Sequence, residues 1–445
     1  MALTTQITAL SWLLQSRYHL AIDDIALVWA AGPLAGIVGQ LAVGHASDRS
    51  WALGGRRRPW LLLSGVLTAL ALVALLHLAD VAAWLGGVPL VLLAGLVALL
   101  LDVAINMGLN PARALIADLV PAGPARSLAF AHMQTVSGVL GVAITLVGAL
   151  LGNVAMIVAA AVLTLPLTAL PALLVAEPRV LAETVAPPPP LTLPTSLSML
   201  LPIAPAAALA VLAWLQRLGG GSMGMALPLM ATAGLTGIIA LSILRGGRRD
   251  QTGLARHIFL AQGLSWIGIF CMFVFLAPVA AERLPAMPAE QLGRDIAVAL
   301  GLFNLVAALA PLLLLMPLCR HWRRAHVHAA AMALMGLCLA AIGGLVSSVI
   351  GLWACMAVAG IGWGALVSLP YVMFCDRVSA GQLGLLLGLF NLSVVIPQLV
   401  VSLGLGALAP ALSASGDLFL IAGVALAASA GVWALLPPLP AGVAP

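Results

Sequence analysis

The chain has 445 residues, of which 63% are hydrophobic and 7% are charged. A soluble protein of this length needs far more charge to cover its surface, so the composition predicts a membrane protein with many spans. The formal charge of +5 does not indicate nucleic-acid binding, because the arginines are spread over separate short loops.

Apolar runs predict fourteen helices, arranged as six, two and six. They lie near 2–17, 25–46, 60–79, 88–116, 128–152, 154–176, 197–216, 224–244, 258–280, 295–318, 327–347, 349–374, 383–408 and 418–437. A proline-rich stretch at 177–194 cannot be helical throughout. We therefore predict a six-helix bundle at 1–176, a linker with two extra helices at 177–257, and a second six-helix bundle at 258–445.

Arginine placement predicts the orientation of these spans. Fourteen arginines lie in one alternating set of loops and four lie in the opposite set, which fits the positive-inside rule. Both termini are then cytoplasmic, in a membrane of the bacterial inner-membrane type. The middle pair must cross an even number of times, and a re-entrant hairpin is the alternative for it.

The two predicted bundles share a short repeat. Leu-Gly-Leu-Phe-Asn-Leu occurs at 300–305 and again at 387–392, each time inside an apolar run. Internal repeats of this kind are typical of secondary transporters that bind their substrate near the bilayer midplane.

Residue types exclude several enzyme classes. All nineteen basic residues are arginine, so the chain has no P-loop lysine and no lysine for a Schiff base. It also has no His-Glu-x-x-His or Cys-x-x-Cys motif, and its five cysteines lie in spans or at span ends. We predict no enzyme activity, no metal and no cofactor.

Asp102 is an acidic residue deep inside an apolar run, at 91–110. At 100° per residue, it shares one helix face with Asn106, Asn110 and Arg113, within about 80°. Lipid disfavours such a stripe, so it must face protein or water. Asp102 could then bind and release a proton during transport; the alternative is a permanently protonated carboxyl group bonded to a neighbouring helix. Arg113 could take part in coupling or cap helix carbonyls.

The loop Gly-His-Ala-Ser-Asp-Arg-Ser-Trp-Ala-Leu-Gly-Gly-Arg-Arg-Arg-Pro-Trp, at 44–60, resembles the helix 2–3 signature of the major facilitator superfamily. Its long form resembles that of the sucrose and maltose proton symporters. Segments 22–36, 100–120, 368–378 and 388–404 resemble the same group. The resemblance implies two six-helix bundles with pseudo-twofold symmetry, here with two extra central helices. It also implies that Gly44, Asp48, Arg49, Arg56, Arg57 and Arg58 form a cytoplasmic gate motif.

The chain departs from this group in two places. Members begin helix 1 roughly ten residues earlier, so we expect helix 1 to be truncated at Met1. The plant sucrose symporters carry an aspartate-rich motif at the end of helix 7, whereas the stretch 273–284 lacks it. This difference places the chain nearer to the bacterial members.

A sugar needs hydrogen-bonding groups and an aromatic face. The candidate substrate-binding residues are Gln6, Asn106, Asn110, Gln134, Trp266, Asn304, Trp363, Asn391 and Gln398. Each asparagine could instead bond a neighbouring helix. We predict a monomeric importer that moves a glucoside or disaccharide together with a proton by alternating access. The alternatives are a scaffold or pigment-assembly factor that transports nothing, and a proton-driven exporter of a small amphiphile.

Overall fold

We analysed a computed structural model of the chain. It describes residues 1–33, 35–36, 51–119, 124–177, 198–218, 226–245, 251–375, 383–409, 412 and 414–438. Long apolar helices dominate these residues, as expected for a chain that must satisfy its backbone hydrogen bonds without water.

Seven helices precede the proline-rich stretch. They are α1 (Ala2–Ser16), α2 (Ile22–Trp29), α3 (Arg58–Leu76), α4 (Leu78–Trp84), α5 (Leu90–Leu119), α6 (Pro124–Leu151) and α7 (Asn153–Leu174). Residues 31–33 and 35–36, after α2, are also helical.

The rest of the described chain contains ten more helices. They are α8 (Ala204–Leu218), α9 (Ala226–Arg245), α10 (Gln251–Arg283), α11 (Ala289–Ala310), α12 (Met316–His321), α13 (Arg324–Gly344), α14 (Val349–Cys375), α15 (Leu383–Leu399), α16 (Gly406–Leu408) and α17 (Gly416–Ala434). A 3₁₀ turn, Leu201–Ile203, precedes α8. Wider π-helical turns join α11 to α12 at Pro311–Leu315 and α15 to α16 at Val400–Leu405.

Nine helical segments within the described residues are long and apolar enough to cross a membrane. One of them, Ala289–His321, joins α11 and α12 through the π-helical turn. Three shorter apolar helices are Val136–Leu151, Leu201–Ala213 and Met230–Arg245. The chain is therefore a multi-pass membrane protein, and the count of about fourteen spans with two-bundle symmetry stays a prediction.

The chain divides into two compact units. Unit 1 contains Met1–Val185 and Met287–Gly301, and unit 2 contains Ala186–Ala286 and Leu302–Pro445. The extra helices α8 and α9 fall in unit 2, where α8 packs against α15 and the π-helical turn that follows it. The division also falls inside α11, whose first half belongs to unit 1.

Local chemistry explains where two predicted helices are interrupted. The predicted helix at 60–79 ends at Leu76, where the Tyr18 hydroxyl donates to the Leu75 carbonyl at 3.0 Å and accepts the Leu78 N–H at 3.1 Å. The predicted helix at 295–318 widens at Pro311, because proline has no N–H for the α-helical ladder and its ring crowds the preceding turn.

Candidate functional site

Asp102 lies on α5 in unit 1 with 7% of its surface exposed. Gln6 of α1, which is 3% exposed, donates a side-chain N–H to Asp102 Oδ2 at 3.0 Å. The backbone of Gly32 lies close to the same carboxyl group, since a Cβ added at Gly32 would be 3.2 Å from Asp102 Oδ2. Three segments that are distant in sequence thus meet at one carboxyl group.

The rest of the predicted polar stripe follows Asp102 along α5. Asn106 donates its side-chain N–H to the Asp102 backbone carbonyl at 2.8 Å, so it binds its own helix one turn back. Asn110 and Arg113 also lie on α5, but their side chains fall outside the described part of the structure. The same holds for the side chain of Gln134 on α6.

Two more polar atoms are buried near the start of α1. Gln6 Oε1 and Thr5 Oγ1 make no hydrogen bond to the described residues. A buried polar atom without a partner is costly, and such atoms commonly mark functional positions. Sequence reasoning selected Gln6 and Asp102 separately, whereas the structure brings them together and adds Gly32 and Thr5.

An aromatic cluster surrounds the two predicted tryptophans in unit 2. Trp266 of α10 and Trp363 of α14 meet edge to face, with ring centroids 5.9 Å apart. Phe273 packs edge-on against Trp363 at 5.4 Å, and Phe303 stacks on Trp363 at 6.1 Å. The indole N–H of Trp266 is buried and has no acceptor among the described residues.

The repeat places one member of this cluster next to a predicted polar residue. Phe303 and Asn304 both belong to the repeated hexapeptide, and Asn304 is partly buried on α11. Asn391, in the second copy, and Gln398 are partly buried on α15. The sequence reasoning missed Phe273 and Phe303, although the repeat contains Phe303 and could have indicated it.

Glu177 is a further residue that the sequence reasoning missed. Its carboxylate accepts the backbone N–H groups of Arg56, Arg57 and Arg58 at 2.6, 2.9 and 2.8 Å. A carboxylate at this position caps the N-terminus of α3 and interacts favourably with the helix dipole. Gly55 approaches Glu177 so closely that an added Cβ would collide with the carboxylate.

The predicted gate motif is only partly described. Gly44, Asp48 and Arg49 lie outside the described residues. A tight turn precedes Arg56, with positive φ angles of 54° at Leu53 and 79° at Gly54. The Arg58 guanidinium donates to the carbonyls of Leu53 and Val175 at 3.1 and 2.9 Å. Arg58 and the backbone of this loop thus hold the loop to the end of α7.

The first half of α11 packs against α1 and α7 within unit 1. The Trp12 indole N–H donates to the Ala289 carbonyl at 2.7 Å. Gly293 lies where an added Cβ would be 2.6 Å from Trp12 Nε1 and 2.8 Å from Asn153 Nδ2. Both polar atoms of the Asn153 side chain are buried without a partner among the described residues.

Comparison with solved structures defines the class of protein. The chain aligns over 98% of its length with 96% of the nucleoside transporter NupG, at a TM-score of 0.66 and 13% identity. It also aligns, over 98% of its length, with 90% of the peptide transporter POT in complex with sulfate, at a TM-score of 0.61 and 15% identity. The chain therefore shares its fold with these two transporters.

Sequence relatives narrow this class. Sucrose transport protein SUC4 of Arabidopsis thaliana is 27% identical over 418 residues, which cover 86% of this chain and 76% of that protein. Sucrose transport protein SUT2 of Oryza sativa subsp. japonica is 26% identical over 429 residues, covering 86% and 79%. No family model matches the chain. The predicted resemblance to sucrose transporters is confirmed by these relatives, which are named as transport proteins.

Proposed function

We propose that the chain imports a sugar of the sucrose or glucoside class together with a proton, by alternating access. The observation that carries this proposal is the buried carboxyl group of Asp102, bonded to Gln6 within a transporter fold. An ionisable residue at bilayer depth is costly, so its presence supports a role in ion movement.

The cargo is inferred from the relatives and from the aromatic cluster. Two relatives with extensive coverage are named sucrose transport proteins. Trp266 and Trp363 offer indole rings of the kind that bind sugar C–H surfaces, and Trp266 offers an N–H that can donate to a hydroxyl. In this proposal, Asn304, Asn391 and Gln398 add hydrogen bonds from unit 2.

Proton coupling gives the import its driving force. An inside-negative potential contributes about 2.3 kcal/mol per charge per 100 mV, which concentrates a neutral solute roughly fifty-fold when one proton accompanies it. Asp102 binds the proton when it is hydrated from outside and releases it when it is hydrated from the cytoplasm. The arginine-rich loops, which include Arg56–Arg58, are cytoplasmic in this arrangement.

Reconstituted vesicles test the proposal directly. Radiolabelled sucrose and maltose are offered under an inward proton gradient, and internal pH is recorded with a trapped dye. We expect sugar-dependent acidification of the lumen and accumulation of at least one of the two sugars. Asp102→Asn should abolish accumulation but keep sugar exchange at equal pH, because exchange needs no net proton movement.

The matched control is Asp80→Asn, which changes an exposed carboxylate of the same unit and should leave accumulation intact. If Asp102→Asn still accumulates sugar in a pH-dependent manner, the coupling assignment is wrong. If neither sugar moves protons or enters the vesicles, a non-transporting scaffold or an exporter of an amphiphile replaces this proposal.

A further inference from the structure

We propose that Gln6 is a positioning residue that sets the proton affinity of Asp102, rather than a contact for the sugar. This inference rests on the proposed proton coupling through Asp102. It differs from the sequence prediction, in which Gln6 binds substrate. The geometry points to it because Gln6 donates to Asp102 Oδ2 at 3.0 Å and both residues are almost fully buried.

The chemistry of a primary amide suits both protonation states of a carboxyl group. Its N–H donates to a carboxylate oxygen, as Gln6 does to Asp102 Oδ2, and its oxygen accepts the O–H of a protonated acid. Gln6 Oε1 is buried and accepts no hydrogen bond from the described residues. A rotation about the last side-chain torsion brings this oxygen to Asp102 when the proton arrives.

The two hydrogen bonds differ in strength. A bond to a charged acceptor is roughly twice as strong as a bond between neutral groups. Gln6 therefore stabilises the ionised form of Asp102 more than the protonated form, and it promotes proton release. Without the amide, Asp102 should hold its proton to a higher pH.

The charged groups around Asp102 lie at helix ends. Helix α1 carries no titratable side chain, and the side chains of Arg113 and Asp118 on α5 and of Arg126 on α6 fall outside the described part. The titratable groups of the neighbouring described segments are the amino group of Met1 before α1, Arg17, Tyr18 and His19 after α1, Asp23 and Asp24 of α2, Arg58 of α3, His77 before α4, Asp80 of α4, and His132 of α6. None of these forms an ion pair or a hydrogen bond with Asp102 among the described residues, whereas Gln6 does.

The backbone holds the pair in place. The absence of a side chain at Gly32 makes room for the Asp102 carboxyl group, because a Cβ there would lie 3.2 Å from Oδ2. Asn106 holds the carbonyl of Asp102 and leaves the carboxyl group to Gln6. Gln6 can therefore act on Asp102 through the hydrogen bond from its side-chain N–H to Oδ2.

The test compares the pH profile of sugar uptake in three variants. Gln6→Met keeps the length of the side chain without the amide, and Gln6→Asn keeps the amide on a shorter stem. Thr8→Val is the matched control, because Thr8 is equally buried on α1 and, among the described residues, its hydroxyl bonds its own helix at the Thr4 carbonyl. Size-exclusion profiles and melting temperatures establish that each variant is folded.

We expect Gln6→Met to raise the pH of half-maximal radiolabelled sucrose uptake by about one unit. Gln6→Asn should give a smaller shift in the same direction, and Thr8→Val should give none. In the Asp102→Asn background, Gln6→Met should leave the KM of sucrose exchange unchanged, because Gln6 acts through the carboxylate. Maltose replaces sucrose if it is the transported sugar.

Two outcomes overturn the inference while the proposed function stands. They are an unchanged pH midpoint in both Gln6 variants, and a raised KM for exchange when Gln6→Met is combined with Asp102→Asn. The second outcome would assign Gln6 to the sugar. If Asp102→Asn alone keeps pH-dependent accumulation, the proposed function fails first and this inference fails with it.

Discussion

The indole N–H of Trp12 donates to the carbonyl oxygen of Ala289 at 2.7 Å, across 277 residues of sequence. This bond joins α1 to the start of α11, where Gly293 also packs against the Trp12 ring. A buried indole needs an acceptor, and a backbone carbonyl at the first residue of a helix provides one. The start of α11 is thereby fixed to the same helix that carries Gln6.

Gly293→Ala should destabilise the protein. The added methyl group would lie 2.6 Å from Trp12 Nε1 and 2.8 Å from Asn153 Nδ2, so both side chains must move. We expect a loss of about 1–3 kcal/mol, seen as a lower midpoint of thermal unfolding in detergent. Gly95→Ala in α5 is the matched control, because an added Cβ there meets nothing within 4 Å. Equal midpoints for the two variants would contradict the packing described for α11.

Glu177→Gln should loosen the loop before α3. The neutral amide loses the charge that three backbone N–H groups share, which costs about 1–2 kcal/mol. The measurement is the rate of trypsin cleavage after Arg56 or Arg57 in inside-out vesicles, and we expect it to rise several-fold. Glu290→Gln, at an exposed carboxylate in the first turn of α11, should leave the rate unchanged. Cleavage confined to right-side-out vesicles would instead refute the proposed orientation.

Gly32→Ala should slow sugar uptake without abolishing it. The new methyl group would press on Asp102 Oδ2 at 3.2 Å and would displace the carboxyl group from Gln6 by a few tenths of an ångström. Initial uptake rates at several pH values provide the measurement, and Gly95→Ala again serves as the control. If the uptake rate and its pH profile are unaltered, the contact between Gly32 and the Asp102 carboxyl group does not matter for transport.

Trp266→Phe should raise the KM for sugar more than it lowers the maximal rate. Phenylalanine keeps a ring beside Trp363 but removes the indole N–H, which has no acceptor among the described residues. One lost hydrogen bond to a neutral hydroxyl is worth about 1 kcal/mol, which corresponds to a roughly fivefold change in KM. Trp84→Phe, on a largely exposed side chain, is the control. An unchanged KM would remove this indole from the sugar site.

Alkaline pH should destabilise the junction between α3 and α4. Burial raises the pKa of the Tyr18 phenol in the folded protein. The protonated phenol therefore contributes stability that is fully present below the pKa of the unfolded chain, near 10. This contribution is lost as the pH rises through the higher pKa of the folded protein. Unfolding midpoints between pH 8 and 11 should therefore fall less steeply in Tyr18→Phe. Tyr371→Phe, which changes the other tyrosine, should keep the original slope.

The sequence predicted individual residues better than their partners. Asp102 stood out because a carboxylate interrupts an apolar run, and Gln6 stood out because it is polar in another. Their hydrogen bond depends on how α1 crosses α5, and periodicity within one helix contains no information about that crossing. Trp266 and Trp363 were selected as aromatic residues within spans, and their contact likewise needed the fold.

Two features escaped prediction for different reasons. Glu177 is the first residue of a stretch that proline content marks as a linker, so its capping role was hidden by its neighbours. The contact of Trp12 with Ala289 joins residues 277 positions apart, which the predicted domain boundaries assign to different bundles. Most described helices lie within the apolar runs, and breaks within those runs occur at Ala30, His77, Pro311 and Val400.

The π-helical turns at Pro311–Leu315 and Val400–Leu405 each contain more chain than an α-helical ladder requires. A turn closed by an i→i+5 bond holds one residue more than a turn closed by an i→i+4 bond. Removal of a single residue, such as Leu313, can therefore be absorbed by converting the wide turn into an ordinary one. The same deletion in the middle of α13 would rotate every later side chain by about 100°. At each of these two turns, the described helices can lose one residue without rotating the side chains that follow.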